Sequence, residues 1–276
     1  MNTQVDQIDG LQIRYASHQA GHAQNVLLLS PLPESLFAFT PMWNALAEQF
    51  NLLAIDLPGF GQSEGRADLY SPKTMAAFVS QLIDHFAFRL PHIIGPDIGT
   101  PVALFVAANF PQQITSLIIS GGACVYPLQV AGFLKELLDA PDLSGYKQLA
   151  VADLINASLS ELKNYSLPTN IRADYLASYA GENRITDAFQ LLRAYATDLP
   201  ELDKQLDSIE VPIQIIWGTQ DPVAPIDNAH ILYARLPKNN LTIIEHGQHY
   251  IWEENSADYL AIASRWLNGG YETYFL

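Results

Sequence analysis

Short apolar runs alternate with longer amphipathic stretches along most of the chain. Strands buried on both faces, with helices between them, produce this pattern, which predicts an α/β protein built on a largely parallel sheet. The apolar runs fall at 26–29, 52–55, 92–94, 116–119, 213–217 and 241–244. Two earlier segments, 5–8 and 11–15, alternate apolar and polar around Asp9-Gly10 and predict an N-terminal hairpin. Longer helical patterns between the strands predict helices over 41–49, 71–86, 100–109, 228–234 and 256–267. Ser71 before Pro72 and Asn255-Ser256 supply start signals for two of them. The alternation breaks once. From 125 to 210 no strong strand run occurs, and the segment reads as several helices punctuated by Pro141-Asp142, Ser144-Gly145, Pro168-Thr169, Gly181-Glu182 and Pro200. The expectation is a discontinuous core, 1–124 with 211–276, carrying a helical insertion at 125–210.

Composition narrows the class. At 276 residues the chain suits one large domain, or a core with an insertion. Hydrophobic residues make up 49% and charged residues 16%, enough apolar matter to bury a sizeable core. Lys and Arg number 14 against 29 Asp and Glu, a formal charge of -15 that argues against nucleic-acid and membrane-surface partners. The single cysteine, Cys124, excludes an intramolecular disulfide framework and fits a reducing compartment. The first residues show no basic-then-apolar leader, and no stretch reaches the roughly 18 apolar residues of a membrane span. These features predict a soluble, cytoplasmic, acidic protein of enzyme size.

The densest chemical signal is His92-Ile93-Ile94-Gly95-Pro96-Asp97-Ile98-Gly99-Thr100. An apolar strand runs into Gly-x-Asp-x-Gly and then into an Ala-rich helix. Glycines two residues either side of a reactive side chain permit a sharp strand-to-helix turn, which presents that side chain at the C-terminal edge of the sheet. The familiar version of this turn carries Ser; here the central residue is Asp97.

On these residues the chain resembles the α/β-hydrolase family, in the branch with an aspartate nucleophile: epoxide hydrolases, haloalkane dehalogenases and haloacetate dehalogenases. Three further segments are similar to family motifs. They are Asp56-Leu57-Pro58-Gly59-Phe60-Gly61-Gln62-Ser63, the strand leading into Gly218-Thr219-Gln220-Asp221, and the histidine loop Gly247-Gln248-His249-Tyr250. The resemblance implies an α/β-hydrolase fold with a helical cap and a triad of Asp97, Asp221 and His249. His246 competes with His249, but the position just before a helix selects His249. Backbone N–H groups of Leu32 and Ile98 are the implied oxyanion donors. The chain departs from the family at Ser30-Pro31-Leu32-Pro33, where His-Gly-x-Pro is expected; Pro31 fixes φ where the family has glycine. No metal or organic cofactor is implied.

An ionised carboxylate attacks saturated carbon without a base, which separates Asp97 from a serine nucleophile. His249, oriented by Asp221, would then activate water against the resulting alkyl ester. Among the branches, the dehalogenases need halide donors. Ile98 follows the nucleophile, Leu32 occupies the Asn-bearing position, and all four tryptophans lie outside 125–210. Epoxide hydrolases protonate the departing oxygen with cap tyrosines, and 125–210 contains Tyr126, Tyr146, Tyr165, Tyr175, Tyr179 and Tyr195. By resemblance Tyr146 and Tyr195 stand nearest the family positions. The leading expectation is epoxide hydrolysis. The alternatives are a dehalogenase with unfamiliar halide donors and a binding protein that retains the fold without the reaction.

Overall fold

The computed structural model describes residues 1–274. Among these, eight strands form one sheet in the order β1-β2-β4-β3-β5-β6-β7-β8. The strands are β1 (Thr3–Ile8), β2 (Leu11–His18), β3 (Asn25–Leu29), β4 (Asn51–Ile55), β5 (His92–Pro96), β6 (Ser116–Ser120), β7 (Ile213–Gly218) and β8 (Asn239–Ile244). The first two make the predicted hairpin, with Asp9 and Gly10 both at positive φ, as a tight two-residue turn requires. β2 joins β4 antiparallel; from β4 to β8 every pairing is parallel.

Alternation along the strands sorts their side chains onto two helical layers. Leu27, Leu29, Ile93, Leu117 and Ile119 pack with α2 (Pro72–His85) and α3 (Gly99–Asn109). Val26, Leu28, Ile94 and Ile118 pack with α1 (Thr40–Ala47) and α11 (Ser256–Leu267). α2 illustrates why these segments are helical. Ser71 accepts a hydrogen bond from the Thr74 N–H, Pro72 occupies the first turn, and Pro72, Met75, Ala76, Val79, Leu82 and Ile83 form one buried stripe. α3 is buried over almost its whole circumference, so its apolar run carries no helical stripe.

Between β6 and β7 lie α4 (Gly132–Asp139), α5 (Val151–Leu159), α6 (Thr169–Ser178), α7 (Arg184–Arg193) and α8 (Tyr195–Asp203), with no strand among the described residues. Pro141, Ser144, Pro168 and Gly181 separate helices as expected. Pro200 does not: it lies inside α8. A helix-interior proline costs about 3 kcal/mol. Here that cost is offset because Leu199 and Leu202 are buried and Asp198 is anchored to the start of α2. The remaining helices are α9 (Asp227–Arg235) after β7 and α10 (Ile251–Glu254) before α11. Among the described residues no helix is long and apolar enough to cross a membrane.

Candidate active site

Asp97 sits on the turn between β5 and α3 at φ +50°, a left-handed conformation that aspartate tolerates better than most residues. Its N–H donates to Ser120 O at 2.8 Å and its carbonyl accepts from the Thr100 N–H at 2.9 Å. Space requires the first of the flanking glycines. A Cβ at Gly95 would stand 2.6 Å from Gly99 O, whereas one at Gly99 would sit tightly against Leu29 Cβ at 3.3 Å. A third small residue escapes the motif: a Cβ at Gly122 would lie 2.3 Å from Asp97 O and 2.4 Å from Thr100 Cβ. Gly122 follows β6, and only the parallel pairing of β5 with β6 brings it under the turn.

The other two residues of the expected triad lie on the loops that follow β7 and β8. Asp221 Oδ1 accepts from the Val223 and Ala224 N–H groups at 2.8 and 2.9 Å, so it shapes its own turn while facing His249. His249 Nδ1 lies 3.0 Å from Asp221 Oδ2, and Nε2 lies 3.8 Å from Asp97 Oδ1. Side-chain exposure is 3% for His249 and 14% for Asp97, so the nucleophile candidate keeps a face open to the cavity. Burial works against a charged imidazole, but the Asp221 and Asp97 carboxylates outweigh it and hold His249 above its ordinary value. Burial raises the Asp97 carboxyl; the His249 charge and the Leu32 and Ile98 N–H groups oppose that rise. His246, by contrast, is exposed and its ring meets Gln220.

Leu32 was the expected oxyanion donor, and its N–H reaches Asp97 Oδ2 at 2.8 Å. Pro31 therefore leaves this donor in place despite the departure from His-Gly-x-Pro. The Leu32–Pro33 bond is cis. The loop's next residue, Glu34, is fully buried. Its Oε1 accepts from the Trp252 indole N–H at 2.8 Å, while Oε2 has no partner among the described residues. Burial, with the nearby Glu253 and Asp97 charges, drives the Glu34 carboxyl well above the usual range. Glu253 accepts from the Tyr175 hydroxyl at 3.0 Å and is raised by burial to about 8. This acidic pair behind the site is a feature that motif reading misses.

A cavity of about 270 Å³ opens over Asp97 and His249. Phe133, Leu154, Ile155, Phe189, Leu192 and Val223 give it an apolar wall, and Ser158, Glu161 and Tyr250 are its other polar members. Neither Tyr146 nor Tyr195 lines it. Tyr146 turns its ring onto Phe133 and Phe189, with centroids 5.7 and 5.9 Å away, because the segment leaves those apolar faces to be covered. Tyr195 is buried at the start of α8, close enough to Asp97 to feel its charge. Tyr175 and Tyr179 are also buried, with hydroxyls directed at Glu253 and at the Glu34 carbonyl. The tyrosine in the cavity is Tyr250, beside His249 in sequence.

Asp56, from the first of the resembling loops, is buried away from the cavity. It accepts from the Leu36 and Gln62 N–H groups at 2.7 and 2.8 Å and pairs with Arg14. It thereby ties the Leu36 and Gln62 backbone to Arg14, whose guanidinium also pairs with Asp174 of α6.

An aspartate on a strand-to-helix elbow, an acid after β7 and a histidine after β8 thus meet beside one cavity. A family model for the alpha/beta hydrolase fold matches residues 24–256. The chain belongs to this family. Among the similar proteins, an uncharacterized protein of Mycobacterium tuberculosis (strain ATCC 25618 / H37Rv) is 28% identical over 271 residues, covering 92% of this chain and 78% of its own. A soluble epoxide hydrolase of Corynebacterium sp. (strain C12) is 27% identical over 230 residues, covering 76% and 78%. The ligand-free structure of the epoxide hydrolase CorEH superposes with a TM-score of 0.79 at 21% identity, covering 95% of this chain and 96% of that one. Lipases and esterases stand among the similar proteins as well. The chain is thus an alpha/beta-fold hydrolase by family, with aspartate at the elbow.

Proposed function

We propose that this protein hydrolyses a small apolar epoxide to a diol through an ester on Asp97, with 125–210 acting as a cap over a core of 1–124 and 211–276. The observation that carries the reading is the seating of Asp97. Its Oδ2 is bound by the Leu32 N–H, and its Oδ1 faces His249 across 3.8 Å. Attack by Oδ1 on an epoxide carbon leaves Oδ2 as the carbonyl oxygen of the new ester. One donor suited to the oxyanion of hydrolysis, the Leu32 N–H, already lies on that oxygen. His249, its other nitrogen on Asp221, takes a proton from water as that water attacks the ester carbonyl. A carboxylate attacking an acyl carbon would give an anhydride instead, so the elbow residue argues against the esterase and lipase chemistry of other relatives.

The apolar cavity wall suits an uncharged organic substrate, and the similarity to an epoxide hydrolase supports the choice of leaving group. Asp97→Ala is expected to lower epoxide turnover by at least about 10³-fold while the fold melts within a few degrees of the parent, the left-handed alanine costing about 1 kcal/mol. Diol formation at the parent rate would overturn the reading. Release of halide from haloalkanes, with epoxides untouched, would replace it with the dehalogenase reaction.

A further inference from the structure

The cavity over Asp97 is mostly apolar, so its hydroxyl groups are conspicuous. Two of them form a pair: Tyr250 Oη and Ser158 Oγ lie 2.6 Å apart. Tyr250 comes from the loop carrying His249, and Ser158 from α5 on the facing side. Two hydroxyls carry two protons, and the bond between them uses one. Among the described residues no carbonyl or carboxylate is bonded to either hydroxyl. The second proton therefore has the cavity to point into.

Resting on the Asp97 reading above, we infer that the Tyr250–Ser158 pair is the donor for the oxygen that leaves the attacked carbon. Oδ1 of Asp97 bonds to one epoxide carbon as the C–O bond breaks, and the departing oxygen takes the Tyr250 proton. The phenolate is held by the Ser158 hydroxyl. Hydrolysis of the ester to carboxylate and alcohol releases one proton, which returns to Tyr250, so the cycle closes with no outside acid. The ring of Tyr250 stands 5.0 Å from that of His249, centroid to centroid, so this donor borders the base that works in the second step. Burial, followed by the nearby Glu34 charge, pushes the Tyr250 hydroxyl well above its ordinary value and keeps it protonated across the working range. The same pair selects the substrate: a leaving alkoxide needs a proton, whereas a leaving halide gains little from one. Tyr146 and Tyr195 are not needed in this role.

The test is the rate at which the Asp97 peptide gains the mass of styrene oxide, measured in His249→Gln protein so that the ester persists. Adding Tyr250→Phe keeps the ring contacts and removes only the oxygen. It is expected to slow ester formation at saturating oxide by about 10²-fold, with the half-saturating concentration little changed. Ser158→Ala, on the opposite wall, is expected to slow it by about 10-fold as the phenolate loses its partner. Equal rates with and without the Tyr250 hydroxyl would overturn the inference and leave Asp97 as nucleophile. No ester in the His249→Gln parent would overturn the underlying reading, and this inference with it.

Discussion

His249 is pulled in two directions. Its burial favours the neutral ring, and the carboxylates of Asp221 and Asp97 favour the charged one and prevail. Only the neutral ring can take a proton from water. Turnover limited by ester hydrolysis therefore falls as the pH drops through the His249 value. Removing a carboxylate that raises this value lowers it. Asp221→Asn is thus expected to shift the acid limb of the kcat profile to lower pH, while the plateau drops by about 10²–10⁴-fold. A shift to higher pH would contradict the assigned partnership. At this scale the sequence is informative where a residue's chemistry coincides with a position in the fold. His249 precedes a helix and His246 does not, which separates them without coordinates. Tyr250 carries no such mark. Its value depends on which way its hydroxyl points and on Ser158, 92 residues away in the chain, lying across from it.

The elements meet at the C-terminal ends of the parallel strands. β5 delivers Asp97, β7 delivers Asp221, the loop after β8 delivers His249, and the loop after β3 delivers the Leu32 N–H. Apolar periodicity makes these strands legible because each is buried on both faces. The helices of 125–210 are legible as helices but not in their docking, since polar side chains rather than apolar stripes tie several of them down. Asp174 of α6 pairs with Arg14 of β2, Arg184 of α7 bonds the Gly61 and Ser63 carbonyls, and Asp198 of α8 receives the Ser71 hydroxyl and the Lys73 N–H. The last contact satisfies one free N–H at the start of α2 from outside that helix and anchors α8 two residues before Pro200. Asp198→Ala should lower the melting temperature by about 4–8 °C, the loss of charge-assisted bonds worth roughly 2 kcal/mol. A melt unchanged within 1 °C, read by calorimetry with that sensitivity in mind, would show that α8 is held by its apolar side alone.

Across the whole molecule, the acidic character seen in composition divides into two populations. Most Asp and Glu residues are exposed and give the protein its charge of -15, whereas Glu34 and Glu253 are buried behind the site. Their raised carboxyls, with the Trp252 indole and the Tyr175 hydroxyl, back the two loops that carry Leu32 and His249. Composition cannot distinguish these populations, because the distinction is made by tertiary burial. The account as a whole depends on one covalent event at Asp97. The most direct measurement is the intact mass, and then the peptide map, of His249→Gln protein incubated with styrene oxide. The account predicts a gain equal to the whole oxide, oxygen retained, located on the peptide containing Asp97 and removed by mild base. An unmodified Asp97 peptide, or an adduct on another residue, would contradict it.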